Sequence, residues 1–275
     1  MNEKFTPRGI QQMKQVEFIQ LQILKIVKEF DEFCREHHIE YSMGGGTLLG
    51  AVRHDGFIPW DDDFDVYMTR KDAEKFIKLW RSESLDLISF KEKRYYKPYT
   101  SIKIHNPRYR LKELGDEKYK FPELTNYGIF IDIFIIDFYS KSLVDKVISK
   151  YFGQILMANF LSSYNRSIER FEVKVAYYIP SLIIRSLKYL IARRFRMQNR
   201  NYVGFGWDVP FSNFFMKRDE YFPLKQYKFC GLSLPGPQNA AIYLTQRFGN
   251  YMELPPLENR RNHILDIYKL ENFED

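Results

Sequence analysis

The segment Pro59-Trp60-Asp61-Asp62-Asp63-Phe64-Asp65-Val66 places aspartates at the alternate positions 61, 63 and 65. In an extended chain, alternate side chains share one face, so three carboxylates would crowd together there. Like charges at that range repel, and burial raises the cost. A divalent cation among them removes the repulsion. Hard cations such as Mg²⁺ bind through a few carboxylates plus substrate phosphate oxygens. A further acid, Asp132, interrupts the apolar run Ile129-Phe130-Ile131-Asp132-Ile133-Phe134-Ile135-Ile136. A carboxylate inside such a strand needs a partner or a metal. Upstream stands Gly44-Gly45-Gly46-Thr47. Glycines let a backbone approach a phosphate closely, and a helix start beyond them offers N–H groups. Each feature alone has a plainer explanation as a turn, a helix cap or a buried ion pair. Taken in order, they give a strand, glycines, a short helix, alternating acids entering a strand, and one acid on a later strand. Metal-dependent nucleotidyl transfer needs that order.

The elements that must position these groups follow from apolar periodicity. Ile10, Met13, Ile19, Ile23, Val27, Phe30 and Cys34 recur at three- and four-residue steps, which predicts one long amphipathic helix over 10–36, starting near Thr6-Pro7. Residues 39–43 alternate as a short strand, 47–53 form a short helix, and His54-Asp55-Gly56 is a turn. Strands are expected at 64–68, 85–90, 99–105 and 129–138, with a helix over 71–80 turning Phe76, Ile77 and Trp80 inward. Further on, 227–234 reads as a strand, 239–247 as a helix, and the remainder of the C-terminal part as loop and tail.

The chain has 275 residues and a net charge of +7, unevenly placed. Residues 141–200 carry a net +9 and the remainder −2. A general nucleic-acid binder would spread its base more widely, so no nucleic-acid partner is expected. The basic segment loses the strand pattern and reads as helices broken near Pro180. Its stretch 181–196, SLIIRSLKYLIARRFR, has an apolar body and a basic rim. Such a helix can lie on an anionic membrane surface or simply pack with solvated charges. The fold class expected is α+β: a mixed β-sheet core with flanking helices over 1–140, a basic helical segment over 141–200, and a mixed C-terminal part over 201–275 that packs on the core. Two cysteines, Cys34 and Cys230, exclude a disulfide scaffold and a cysteine-rich zinc site and fit a reducing compartment. The first residues lack the apolar core of a secretory signal, and no run of about 18 apolar residues occurs. A cytoplasmic location, with peripheral contact at the inner face of the membrane through 181–200, is the resulting expectation.

The run Gly45-Gly46-Thr47-Leu48-Leu49-Gly50-Ala51-Val52-Arg53-His54-Asp55-Gly56-Phe57-Ile58-Pro59-Trp60-Asp61-Asp62-Asp63-Phe64-Asp65 resembles the LicD family. So do the preceding long helix, Phe130-Ile131-Asp132-Ile133-Phe134, and the C-terminal Phe248-Gly249-Asn250-Tyr251-Met252-Glu253-Leu254-Pro255-Pro256. The resemblance spans about 20–138 and 238–263 and does not reach 141–200. It implies a nucleotidyltransferase-like core, shared with DNA polymerase β and the fukutin-related proteins. It also implies transfer of a phospho-alcohol from a CDP-activated donor to a sugar hydroxyl. Phosphocholine placed on teichoic acid, lipopolysaccharide or capsule is the bacterial case, and ribitol phosphate is the fukutin-related one. On that pattern Gly45 and Gly46 hold donor phosphate, Asp63 and Asp65 bind Mg²⁺ or Mn²⁺, and Asp132 is the third acid. One departure stands at Asn250, where the family often has Asp.

Further roles are expectations from residue type. Asp61 would hold a second cation or support the first. Thr47 sits at the helix start beside the phosphate. Arg53 would clamp a phosphate oxygen or pair with the aspartates. His54 would shape the loop or meet substrate, and Lys103, on the strand Ser101-Ile102-Lys103-Ile104, would reach phosphate or stay solvated. Arg260, Arg261 and His263 read as a basic tail. A choline headgroup would want an aromatic cage, for which Trp60, Tyr67, Tyr95, Tyr96, Trp207 and Phe211 are available. Three functions remain open, the first being the one that the resemblance implies. They are a phosphotransferase using a CDP-alcohol (choline, ribitol or glycerol), a nucleotidyltransferase using an NTP, and a non-catalytic binding protein, which the full set of acids disfavours.

Overall fold

A computed structural model describes residues 7–89, 102–113, 128–140, 200–206, 214–260 and 262–270, together with Asp145, Ile183, Ser186, Leu187 and Leu190. Most of the basic segment expected to be helical lies outside these residues. The fold is α+β, as the sequence predicts. Described elements run α1 (Pro7–Glu36), β1 (Tyr41–Met43), α2 (Gly45–His54), β2 (Asp65–Thr69), α3 (Arg70–Leu79), β3 (Asp86–Ser89), β4 (Ile102–Asn106), β5 (Tyr109–Glu113), β6 (Ile129–Tyr139), β7 (Tyr202–Phe205), β8 (Phe215–Lys217), a single turn α4 (Arg218–Tyr221), β9 (Lys225–Phe229), β10 (Leu232–Gly236), α5 (Ala240–Phe248) and β11 (Ile264–Lys269).

The frame is one mixed sheet built around β6. This 11-residue strand is long enough to serve three neighbours. Along one edge it pairs in parallel with β2, Asp65 opposite Asp132 and Thr69 opposite Ile136. Its first half pairs antiparallel with β4 and its last residues with β7. β1 extends the sheet beyond β2, β3 beyond β4, and β8 beyond β7. A parallel pair needs a crossover, and here α3, β3 and β4 lie in the chain between β2 and β6.

Alternation along β6 separates two chemistries. Ile129, Ile131, Ile133 and Ile135 are buried, and α1 and α3 pack on this strand. From α1 the buried residues are Ile19, Ile23, Ile26, Val27, Phe30 and Cys34, the stripe that the periodicity predicts. α3 is capped by Thr69, whose hydroxyl accepts from Asp72 N–H, and buries Ala73, Phe76 and Ile77. Between its first turn and β6 lies one deeply buried ion pair. The Arg70 guanidinium donates from Nε to Asp137 Oδ1 at 2.9 Å, with side chains only 7% and 0% exposed. The opposite set of β6 side chains carries Phe130, Asp132 and Phe134, and it faces the site.

Several elements differ from the sequence expectation: β5 is not expected, and β7, β8 and α4 form within a stretch read as loop. The run 227–234 is a hairpin, β9 and β10, because Cys230 (φ 48°) and Gly231 (φ 81°) both turn left-handed. A β-branched or bulky residue disfavours this left-handed backbone. Residues 264–269, read as tail, form a strand instead: β11 pairs antiparallel with β5, Ile267 opposite Leu111. Neither strand is strongly apolar, so each became legible only beside the other. Among the described residues no helix is long and apolar enough to cross a membrane.

Asp137→Ala would leave the Arg70 guanidinium buried without its carboxylate. The expected loss is about 3–5 kcal/mol of stability, read by denaturant unfolding.

Candidate active site

The carboxylates come from the segment entering β2 and from the middle of β6. Residues 61–64 run extended and Asp65 opens β2. The approach is fixed from outside: Gln20 on α1 donates its side-chain amide to Asp61 O at 2.7 Å and Ile58 O at 3.1 Å. Phe57, Phe64 and Phe229 form an edge-to-face cluster behind it. Asp65 N–H donates to Thr47 Oγ1 at 2.8 Å, which ties the strand start to α2.

Alternation along Asp61-Asp62-Asp63-Phe64-Asp65 separates roles. Asp61, Asp63 and Asp65 are half-buried along the cleft. Asp62 points the other way and is buried, its side chain 0% exposed. It accepts from His263 N–H at 2.9 and 3.0 Å and from Ile264 N–H at 2.7 Å. This carboxylate is therefore an anchor for the start of β11, not a member of the cleft. As a consequence His263 enters the site. Its Nδ1 stands 3.4 Å from Asp63 Oδ2 and 3.4 Å from Asp62 Oδ1. One donor atom from each of Asp61, Asp63 and His263 lies within 4.8 Å of the others.

Electrostatics match the crowding. Burial raises the Asp65 carboxyl well above the usual carboxylate range, and Asp63, Asp132 and Asp61 push it further. Asp61 is raised in the same way by burial and then by Asp63, and Asp63 by burial and then Asp62. Asp62 beside His263 holds that imidazole above its ordinary range. A raised carboxylate is one that would gain from a nearby cation. The donor set, carboxylates with one imidazole, fits a divalent ion such as Mg²⁺ or Mn²⁺.

Glycine is required at the start of α2 for space. A Cβ on Gly46 would come 2.6 Å from Asp61 Oδ2, and one on Gly45 would come 2.5 Å from Asp65 Oδ2. Gly45 also has φ +52°. The carboxylates thus sit directly on the first turn of a helix that begins at Gly45, two residues earlier than the sequence suggests. Helix N-termini favour negative charge. Gly45 N–H is engaged by Tyr243 Oη at 2.9 Å, and Tyr243 Oη bonds Tyr67 Oη at 2.7 Å.

The remaining predicted residues divide. Lys103 lies opposite Asp132 in the β4–β6 ladder. Its ammonium is 2.6 Å from Asp132 Oδ1 and 3.2 Å from the Phe130 ring centroid. It is buried rather than solvated. Arg53 and His54 sit at the far end of α2. Arg53 donates to His54 Nε2 at 3.0 Å, to Tyr251 O at 2.9 Å and to Glu253 O at 3.3 Å. These bonds brace the loop after α5, and no ion pair joins Arg53 to the aspartates. Arg260 lies 4.7 Å from the Trp60 ring centroid and donates to Pro255 O. Of the cage aromatics, Tyr67 is buried among Phe134, Phe205 and Tyr243, and Trp60 is covered by Arg260. Tyr95, Tyr96, Trp207 and Phe211 lie outside the described residues, as does Arg261. An open cleft of about 1350 Å³, lined by Thr69, Lys71, Phe138, Arg200 and Arg218 among others, lies at the other end of β2 and β6. Four strand residues, about 13 Å, separate Thr69 from Asp65, so the cleft is remote from the carboxylates.

Sequence reasoning missed Asp62, Tyr243 and His263. Alternation already set Asp62 apart from its neighbours. Nothing near residue 62 says that its donors come from residues 263 and 264.

The sheet, the helix that starts on glycines and the clustered acids make up an α+β domain with a carboxylate site. The profile of the family described as LicD/FKTN/FKRP, nucleotidyltransferase domain, matches residues 38–150. The chain is similar to the lipopolysaccharide cholinephosphotransferase LicD of Haemophilus influenzae, at 29% identity covering 91% of this chain and 97% of that protein. It is also similar to an uncharacterised protein of Rickettsia prowazekii, at 30% identity over 39% of this chain and 50% of that one.

Asp62→Ala would strand two backbone N–H groups at the start of β11. The expected cost is about 1–3 kcal/mol, with faster amide exchange at His263 and Ile264 by NMR or mass spectrometry. Asp62→Asn, which keeps one acceptor oxygen, should lose less.

Proposed function

We propose that this chain transfers phosphocholine, or a similar phospho-alcohol, from a CDP-activated donor to a sugar hydroxyl of a cell-surface glycan. The observation that carries the reading is the convergence of Asp61, Asp63 and Asp65 on the first turn of α2, with Asp132 on the neighbouring strand. The similarity to a lipopolysaccharide cholinephosphotransferase over nearly the whole of both chains supports the choice of substrates.

In this reading Asp61, Asp63 and Asp65 would hold Mg²⁺ or Mn²⁺. A bound dication supplies charge neutralisation for the donor diphosphate and the departing CMP. Gly45 and Gly46 leave room for the Asp65 and Asp61 carboxylates against the helix start, so that a cation held there could meet the donor phosphates. The acceptor hydroxyl oxygen forms a bond to the phosphorus that bears the alcohol. The bond from that phosphorus to the bridging oxygen breaks, CMP leaves, and the hydroxyl proton passes to the Asp132 carboxylate. Lys103 positions Asp132 through their 2.6 Å ion pair. Arg53 serves the site indirectly, by fixing the loop at Tyr251–Glu253.

Peripheral contact with an anionic membrane belongs to the same proposal. Ile183, Leu187 and Leu190 are helical, spaced to share one face, and 50%, 41% and 58% exposed. The sequence around them supplies Arg185, Lys188, Arg193, Arg194 and Arg196. Apolar side chains on an exposed helix face with flanking base suit a surface of anionic lipid.

Two experiments test these statements. Calorimetric titration with CDP-choline, CDP-ribitol, CDP-glycerol and CTP, with and without Mg²⁺, should show metal-dependent binding of one CDP-alcohol. Asp65→Asn should fold normally yet lose nearly all turnover with it. Tight binding of CTP alone, or normal turnover by Asp65→Asn, would overturn the reading. In vesicle flotation, the protein should rise with anionic and not with zwitterionic vesicles. Changing Arg193, Arg194 and Arg196 to Ser should weaken recovery by up to about 100-fold, at about 1 kcal/mol per residue. Equal recovery of both proteins would refute membrane contact.

A further inference from the structure

The carboxylate cleft contains one group that its neighbours in sequence do not explain. His263 lies some 200 residues beyond the aspartates, yet its imidazole is at their rim. It does not arrive as a loose side chain. The backbone of residues 263 and 264 is clamped by both oxygens of buried Asp62, and β11 continues from there paired to β5. The position of the ring is therefore set by the fold.

The distances favour ligation over a plain hydrogen bond. At 3.4 Å, His263 Nδ1 is too far from Asp63 Oδ2 for a good N–H···O bond, which lies at 2.7–3.2 Å. Two ligands on adjacent corners of an octahedron with bonds of about 2.1 Å stand about 3.0 Å apart, and opposite ones about 4.2 Å. Donor atoms of Asp61, Asp63 and His263 all fall within 4.8 Å, so shifts of about half an ångström would bring them round one ion. Asp62 is not available as a ligand, because its oxygens are taken by backbone N–H groups.

We propose that His263 is a ligand of the cation held by Asp61 and Asp63, and that its imidazole nitrogen makes the site prefer Mn²⁺ to Mg²⁺. This rests on the reading of the cleft as a cation site. Mg²⁺ takes oxygen ligands and keeps its waters, whereas a neutral imidazole suits first-row transition metals. The C-terminal strand would then close the site around the metal, and metal binding would tie the two ends of the chain together. A different role, in which imidazolium is only a counter-charge to the aspartates, makes the opposite prediction: removing it would leave metal binding unchanged or tighter.

The test uses Mn²⁺ alone on the full chain, with no donor and no turnover. Electron spin-echo modulation of bound Mn²⁺ should show a directly coordinated ¹⁴N in the wild-type protein, absent in His263→Ala. Titration followed by the free-Mn²⁺ signal should show His263→Ala binding about tenfold or more weakly. Mg²⁺ should compete with Mn²⁺ better in the variant than in the wild type. The metal-free unfolding temperature of His263→Ala, kept within a few degrees, shows that the variant folds. If Mn²⁺ binds and Asp63→Asn abolishes it, yet no ¹⁴N coupling appears and His263→Ala binds as well as wild type, the cation reading stands and the role of His263 is overturned. If the wild type binds no Mn²⁺, both are overturned.

Discussion

Mutual repulsion among Asp61, Asp63 and Asp65 is the constraint on which the rest of the structure depends. Half-buried acids on one edge cost energy, and the chain holds them there with contacts drawn from every part of the fold. Gln20 of α1 grips the backbone before them, Thr47 of α2 grips the strand start after them, and the phenyl cluster of Phe57, Phe64 and Phe229 stiffens their approach. Lys103 brings positive charge to one flank, and the His263 imidazole stands at the other. The helix that meets the carboxylates starts with glycines because any side chain would collide with them.

β6 links this constraint to stability. One set of its side chains is the isoleucine core beneath α1 and α3, and the other presents Asp132 to the cleft. Each set also carries one acid with a cationic partner, Asp137 with Arg70 and Asp132 with Lys103. The first pair is closed off from water and fixes the start of α3. The second lies at the carboxylate cleft. One strand thus supplies an ion pair to the core and another to the cleft through its two-residue alternation.

Much of the frame was legible because apolar periodicity is local. The stripe on α1, the inward Phe76 and Ile77 of α3, the helix α5 and the long run of β6 each announce themselves within a dozen residues. The hairpin β9–β10 was less so, since the left-handed turn at Cys230-Gly231 uses a residue that does not advertise it. The β5–β11 ribbon was not legible at all. Its strands are mostly polar and 150 residues apart, so each gains its identity from the other.

The same division governs the site. Spacing alone placed Asp61, Asp63 and Asp65 on one face, set glycines before them and singled out Asp132, because alternation and the cost of a buried charge are written in residue order. Tertiary structure decided what each group meets. It turned Asp62 inward as an anchor, gave Lys103 to Asp132, sent Arg53 to the carbonyls of Tyr251 and Glu253, and set Tyr243 on the N–H of Gly45. It also brought His263 from an apparent basic tail to the rim of the cleft. Charge–charge and hydrogen-bond energies depend on distance through space, and the chain reveals such distances only once it has folded.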